Sequence, residues 1–343
     1  MRRLSETGSG VSYAPHRSDA STTRVGKAVR RARERSAVHG YRAAAAAISR
    51  VPVRLSLPVG RAVFLGSYFA WPKKRRIILS NAAHVLGLPA GDHRVRYLAR
   101  RIYGTYAHFV IELMRLPSLP RDEPARLVRG GTERGEESFI RLFEKLRAEG
   151  RGLIAVSAHI GSIDLLAGAF ALRGLPTYGL ADDSGYPELF EEMNAQRRRW
   201  GIKVIPWRNL RRVFHALREP AIVGLVVDWG YRSDGIPVQL FGHWTTLPSG
   251  PAMLAARTNA VIVPVVCRRL DDGTYDASHY DSIEVTDDSP AEMRRVTQAI
   301  ADALEDMIAT APEQWYSFKP IWPESETERE ALAQRVATME AGT

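Results

Sequence analysis

Strand-like and helical segments alternate through the second half of this sequence, and this alternation constrains the fold more than any other feature. Short runs rich in Val, Ile and Ala follow stretches whose apolar residues recur with a helical period. The predicted helices cover residues 136–149, 163–172, 187–200, 210–218 and 250–258, and the predicted strands cover 152–157, 203–206, 221–228 and 260–268. Such alternation is typical of an α/β layered domain with a mostly parallel central sheet flanked by helices.

Prolines mark where this alternating region begins. Pro117, Pro120 and Pro124 interrupt a stretch that has helical apolar spacing from residue 37 to residue 116. We therefore expect a helical N-terminal region ahead of the α/β domain. The predicted parts are a disordered basic tail over 1–36, the helical region over 37–118, the α/β domain over 119–322 and a charged C-terminal tail over 323–343.

Positive charge is concentrated at the front of the chain. The sequence carries a formal net charge of +10, and residues 1–36 hold nine Arg or Lys residues against three acidic ones. Between Glu34 and Asp92 there is no acidic residue. A cationic excess of this kind indicates an anionic partner, which can be a membrane, a nucleic acid or an acidic substrate.

The apolar stretch 55–71 favours a membrane among these partners. It contains Pro58, Gly60, Arg61 and Gly66, so it is too interrupted for a spanning helix, which needs about 20 mostly apolar residues. Aromatic residues bracketed by cations suit a helix that lies in the interface of an anionic membrane. The alternative is a buried core helix with a solvated basic end. Nucleic acid is not expected, because the cations flank apolar aromatic residues.

A histidine and an aspartate stand five positions apart directly after the strand 152–157. On one continuous helix this spacing would turn Asp164 about 140° away from His159. The two can meet at the carboxyl edge of the sheet if His159 lies in the loop and Asp164 in the first helical turn, after the possible cap Ser162. A carboxylate that binds one ring nitrogen leaves the other free to take a proton from a hydroxyl. The alternative is a structural loop histidine.

Four ordered blocks carry a resemblance to a known family. They are His159 with Asp164, residues 226–242, residues 247–265 and residues 312–322. The sequence resembles the bacterial lipid A biosynthesis and phosphatidylinositol mannoside acyltransferases, which are related to glycerol-phosphate acyltransferases through a His-x4-Asp motif. The resemblance covers about residues 40–322 and is nearer to the mannoside branch. It implies a glycerol-phosphate-acyltransferase-like fold behind an N-terminal membrane-associating region.

The resemblance also implies a reaction. His159 would act as general base, Asp164 would orient it, and a fatty acyl chain would pass from acyl-CoA or acyl carrier protein to a hydroxyl of a membrane lipid or glycolipid. No metal and no permanently bound cofactor are expected. The backbone amides of Gly161, Ser162 and the following helix are the candidate donors to the oxyanion. The expected partners are an anionic membrane surface, the lipid acceptor and acyl carrier protein, at the cytoplasmic face of the cell membrane. The single cysteine, Cys267, agrees with an intracellular setting.

Further residues are singled out by their places in the resembling blocks. Arg197 would bind the donor's phosphates or an anionic headgroup, although a solvated basic helix face is the alternative. Asp228 ends a strand and either helps to shape the site or caps the next turn. Thr246 and Gly250 border the donor or acceptor site in the resembling proteins.

One position departs from the pattern. The mannoside branch usually has a glutamate that pairs with the catalytic histidine where this sequence has His243. Either Asp164 supports the base alone, or another carboxylate such as Asp228 or Glu112 substitutes, or His243 contacts a different acceptor. Weak activity, or a lipid-binding relative without activity, is the further alternative.

Overall fold

The computed structural model describes residues 24–115, 118–130, 134–181, 187–207 and 209–341. Its helices are α1 (Arg24–Arg50), α2 (Val53–Ala70), α3 (Pro72–Leu86), α4 (His93–Arg115), α5 (Glu123–Leu127), α6 (Glu136–Ala148), α7 (Ile163–Leu172), α8 (Pro187–Trp200), α9 (Leu210–Leu217), α10 (Gly250–Thr258), α11 (Pro290–Thr310) and α12 (Glu326–Ala341), with a 3₁₀ turn at Pro312–Gln314. Its strands are β1 (Val128–Arg129), β2 (Leu153–Ser157), β3 (Thr177–Ala181), β4 (Lys203–Pro206), β5 (Ile222–Val226), β6 (Ile236–Leu240), β7 (His243–Leu247), β8 (Val261–Arg269) and β9 (Tyr275–His279).

Seven of these strands form the central sheet, in the order β1-β9-β8-β2-β5-β3-β4. The five strands from β8 to β4 run parallel to one another, whereas β9 is antiparallel to β8. β6 and β7 form a separate antiparallel hairpin. The predicted α/β fold with a mostly parallel sheet is therefore confirmed.

Helices cover both faces of this sheet, so β2 is buried along its whole length. Ile154 and Val156 belong to a core with residues of α9, α10 and α11. Leu153 and Ala155 point to the opposite face and join a core with residues of α6, α7 and α8. Strand side chains alternate between faces, which explains why this strand is a continuous apolar run.

The N-terminal helices form a third cluster around α4. α2 lies against α4 so closely that a Cβ on Gly60 would overlap the side chain of Ile111. Farther along, the rings of Phe64 and Tyr106 meet edge to face, with 5.3 Å between centroids. α3 begins with Pro72 and is capped after Leu86 by Gly87, whose φ of 62° favours glycine. None of the described helices is long and apolar enough to span a bilayer.

The N-terminal end of the chain differs from the sequence prediction. α1 begins at Arg24, inside the segment 1–36 that was expected to be disordered, because its Arg- and Ala-rich sequence has high helix propensity. The rest of that tail, residues 1–23, lies outside the described residues. At the other end the charged tail forms the helix α12, which packs on the domain, since Leu332 and Val336 are buried and Arg335 donates to the carbonyl oxygens of residues 233 and 235.

Candidate active site

The loop after β2 holds His159 in a fixed backbone frame. Gly161 has a φ of 59°, and a Cβ there would overlap the carbonyl oxygen of Cys267, so only glycine fits. The N–H of Ser162 donates to the same carbonyl over 2.9 Å. The loop is thus tied to the end of β8, and α7 begins at the next residue.

Asp228 is the carboxylate that contacts His159. Its Oδ1 lies 2.7 Å from Nδ1 of the imidazole, and both carboxylate oxygens lie 3.0 Å from the backbone nitrogen of His159. Asp228 follows β5, which runs parallel to and directly beside β2. The adjacency of the two strands therefore brings together two residues that are far apart in sequence.

The environment of this pair fixes its protonation. Burial favours the neutral form of Asp228, yet His159 and the hydrogen bonds from His159 and Trp315 lower the pKa of Asp228 below its ordinary value. Burial lowers the pKa of His159, but the attraction to Asp228 and the hydrogen bond with Asp228 together outweigh it, and the pKa of His159 is raised overall. Because an ionised carboxylate only accepts hydrogen bonds, Nδ1 carries the proton and Nε2 is the basic nitrogen.

The basic nitrogen is accessible. The His159 side chain is 41% exposed, against 3% for Asp228. Among the described residues, Nε2 has no hydrogen-bond partner. The arrangement can therefore accept a proton from a hydroxyl that enters the adjoining cavity.

Asp164 does not orient His159, which corrects the expectation from the His-x4-Asp spacing. Its two carboxylate oxygens accept from Nε and Nη2 of Arg197 at 2.7 and 3.1 Å. Arg197 also donates to the amide oxygen of Asn194. This pairing neutralises the guanidinium that was expected to bind a phosphate. Asp164 and Arg197 instead form a largely buried ion pair in the wall of the cavity.

The cavity beside His159 has a volume of about 380 Å³ and lies between α7 and the sheet. It extends from His159 and Trp229 at the carboxyl edge of the sheet to Thr177 and Ile222 at the beginning of β3 and β5. Most of its lining is apolar. Such a cavity, open beside a base, can hold a long aliphatic group.

Two glycines open the floor of this cavity. Gly179 of β3 and Gly224 of β5 are paired in register, and both line the cavity. A Cβ at either position would meet only ordinary contacts with the protein. The two glycines therefore leave the cavity open, and they are not required by the packing of neighbouring residues.

Aromatic rings surround the end of the cavity beside His159. α4 contributes Tyr106 and Phe109 to the lining. The Trp229 ring meets the His159 ring edge to face at 5.6 Å. The sequence prediction missed these residues, because aromatic side chains in helices and loops are most often core residues and nothing in their spacing marks a site.

The remaining predicted site residues lie elsewhere. The described residues that line the cavity do not include Ser162, His243, Thr246 or Gly250. Ser162 is buried, and its N–H and that of Gly161 are already bound to carbonyl oxygens, so neither amide can donate to an oxyanion. This corrects two of the expected donors.

His243 and Thr246 lie in the β6–β7 hairpin, where both make contacts within the protein. The exposed His243 meets the edge of the His84 ring at 4.8 Å. The Thr246 hydroxyl donates to the carbonyl oxygen of Arg232 at 2.7 Å and accepts from its N–H at 3.1 Å. Gly250 is the first residue of α10. Thr246 thus steadies the loop that follows Asp228, and substrate contacts of these residues stay predictions.

Comparison with known proteins gives the family of this chain. A model of the family described as bacterial lipid A biosynthesis acyltransferase matches residues 31–324. The chain belongs to this family. It is therefore an acyltransferase of lipid or glycolipid biosynthesis, and the resemblance seen in the sequence is confirmed. Among the described residues, no group of three or more His, Cys, Asp or Glu side chains could hold a metal ion.

Named relatives of this acyltransferase come from mycobacteria. A phosphatidylinositol mannoside acyltransferase of Mycolicibacterium smegmatis is 29% identical over 248 residues, which is 71% of this chain and 77% of that protein. Proteins of the same name in two strains of Mycobacterium tuberculosis are 27% identical over 281 residues, or 78% of this chain and 84% of theirs. The alignments thus span most of both chains.

Proposed function

We propose that this acyltransferase moves a fatty acyl chain from a thioester donor, acyl-CoA or acyl carrier protein, to a sugar hydroxyl of a membrane glycolipid. The observation that carries the proposal is the imidazole of His159. Its Nδ1 is held by a buried carboxylate, and its Nε2 is accessible beside an apolar cavity. A base for the acceptor and a space for the acyl chain therefore adjoin each other.

The chemistry follows from the protonation of the pair. Nε2 of His159 takes the proton of the acceptor hydroxyl while the hydroxyl oxygen attacks the thioester carbonyl carbon. Asp228 stabilises the imidazolium that forms. When the tetrahedral intermediate collapses, the carbon–sulfur bond breaks and the thiolate takes the proton back from His159. The products are an ester and a free thiol, and His159 is neutral again.

The oxyanion needs hydrogen-bond donors that are not already bonded to another acceptor. With the amides of Gly161 and Ser162 committed to carbonyl oxygens, the first-turn amides of α7 remain. Such amides have no partner within a helix and carry the positive end of its dipole. Ile163 and Asp164 begin this turn and line the cavity. We assign oxyanion stabilisation to this helix end.

The acceptor class is inferred from the relatives. Proteins named phosphatidylinositol mannoside acyltransferases align with most of this chain, so we propose a mannose-bearing inositol phospholipid or a similar glycolipid as acceptor. The His243 departure does not oppose this assignment. Asp228 already supplies a carboxylate to His159, so no glutamate is required at position 243.

The enzyme binds its lipid acceptor at a membrane surface. Seven of the ten large exposed hydrophobic side chains among the described residues lie between residues 51 and 71. Exposed cations such as Arg54, Arg61 and Arg76 accompany them, without an acidic residue. An apolar face with flanking cations suits the cytoplasmic face of an anionic membrane. α4 joins this face to the site, because it packs against α2 and also lines the cavity.

An acyl-transfer assay tests the proposal. The full chain is incubated with labelled acyl-CoA or acyl carrier protein and with anionic vesicles that contain lysophospholipid or mannosylated phosphoinositide acceptors. We expect transfer to the glycolipid, and a loss of about 10³-fold in His159→Ala. His215→Ala, at an exposed histidine on α9, serves as the matched control. Equal transfer by wild type and His159→Ala would refute the assigned base.

A further inference from the structure

The indole of Trp315 holds the second oxygen of the Asp228 carboxylate. Its Nε1 donates to Oδ2 over 2.8 Å, while Oδ1 binds the His159 ring. Trp315 is 2% exposed and Asp228 is 3% exposed. The hydrogen bond is therefore shielded from water in the folded protein.

A buried carboxylate needs donors to remain ionised. Among the described residues, Asp228 has three of them, namely the backbone N–H of His159, Nδ1 of its ring and Nε1 of Trp315. The first two belong to the residue that must be oriented. Only the indole is an independent anchor, and it does not titrate. Without it, the carboxylate could turn or shift together with the imidazole.

Trp315 is itself fixed to the loop of His159. Ile160 and Trp315 form an antiparallel bridge, in which the N–H of Tyr316 donates to the carbonyl oxygen of His159 at 2.7 Å. The side chain of Gln314 binds both the N–H and the carbonyl oxygen of Arg269 at the end of β8, at 2.8 Å each. One short segment thus holds the backbone of the base and the side chain of its partner.

We propose that Trp315 is a positioning residue, which sets the carboxylate of Asp228 and through it the orientation and basicity of His159. The inference rests on the proposed function of His159 as base. It gives a physical role to a block of sequence, residues 312–316, whose tryptophan does not line the cavity. Trp315 acts on the reaction only through Asp228.

The direction in which removal of the indole N–H changes the pKa of His159 follows from charge. The indole N–H draws electron density from the carboxylate, so its removal leaves Asp228 a stronger acceptor and stabilises the imidazolium of His159. Among the described residues, the other charged group that acts on His159 is Lys319, whose ammonium lies 4.2 Å from the Trp229 ring and lowers the pKa of His159. Removal of the indole leaves Lys319 in place.

The test compares Trp315→Phe with Trp322→Phe. Trp322 is also buried, lies 6.5 Å from Trp315 between ring centroids, and its Nε1 has no hydrogen-bond partner among the described residues. Both variants lose the same atoms, but only Trp315→Phe loses a hydrogen bond. The pH dependence of kcat/KM reports the base of the free enzyme.

We expect the acidic limb of Trp315→Phe to move to higher pH and kcat to fall about tenfold, since a hydrogen bond to a charged group is lost. Trp322→Phe should keep the wild-type midpoint. A midpoint in Trp315→Phe that stays at the wild-type pH or falls would overturn the proposal. Should Trp315→Phe fail to fold, benzothienylalanine at position 315 replaces only the indole N–H by sulfur and keeps the ring shape.

A titration by NMR separates this inference from the proposed function. The ring signals of ¹³C-labelled His159 give its pKa without any turnover. A raised pKa in the Trp315 variant together with full activity of His159→Ala would retain the positioning role and refute the base. An unchanged pKa together with an inactive His159→Ala would retain the base and refute the positioning role.

Discussion

Oδ1 of Asp228 lies 2.7 Å from Nδ1 of His159, although 69 positions separate the two residues in the chain. Asp164, five positions from His159, pairs with Arg197. The parallel strands β2 and β5 are neighbours, and each is followed by one member of the His159–Asp228 pair. The proposed active site is thus a product of strand order and not of the His-x4-Asp spacing alone.

The pH dependence of acyl transfer should reflect this contact. Burial lowers the pKa of His159, but the attraction to Asp228 and the hydrogen bond with Asp228 together raise it above its ordinary 6.5. Only the neutral imidazole accepts a proton, so the rate should fall as the pH drops through this raised pKa and level off above it. The pH profile of kcat/KM checks this. An acidic limb centred below pH 6.5 would contradict the assigned pair.

The Asp164–Arg197 pair should behave as a unit. Asp164→Asn leaves a mostly buried guanidinium without a counter-charge, and Arg197→Gln leaves the carboxylate unpaired. Each single change should lower the free energy of unfolding by about 3 kcal/mol. The double variant should lose less than the sum, which chemical denaturation measures as a coupling energy. Additive losses would show that the two groups act separately.

The cavity floor should control which acyl chains are accepted. Gly224→Ala and Gly224→Val place progressively larger side chains in the cavity beside Gly179. We expect kcat/KM for long-chain donors to fall in that order, while short-chain donors react as in wild type. Donors of increasing chain length provide the measurement. A uniform loss across all donors would instead indicate general damage to the site.

Membrane binding should depend on the exposed face of α2. Val59 and Val63 are each 64% exposed, and their replacement by Ser removes apolar area that we expect to enter the interface. Binding to anionic vesicles should weaken about tenfold. Leu270→Ser is the matched control, because Leu270 is also exposed, at 41%, but belongs to the α/β domain. Similar weakening in both variants would argue against an α2 surface.

The sequence predicted the long elements of the fold well, because their periodic patterns are local. The predicted helices at 163–172, 187–200 and 250–258 have the observed bounds. β3 was missed, since Thr177–Ala181 has a glycine at its centre and only a weak apolar pattern. That glycine is explained by the cavity, which no local pattern reveals.

The candidate site was predicted only in part, and the reason is related. His159 was identified from its place after a strand, but its partner was assigned to the nearby Asp164, with Asp228 as an alternative. Local sequence does not show which strands of a parallel sheet are neighbours. The order β8-β2-β5 places Asp228 next to His159, and α8 brings Arg197 to Asp164. Trp315 lies in one of the four blocks that carry the family resemblance, but no role could be assigned to it without this geometry.

The rate of acyl transfer by Asp228→Asn tests the central claim most directly. An asparagine keeps the shape of the side chain but removes the charge that fixes the His159 tautomer and stabilises its imidazolium. We predict that the rate falls about 10³-fold, close to that of His159→Ala, while circular dichroism shows an intact fold. Transfer within a few-fold of wild type would contradict the account.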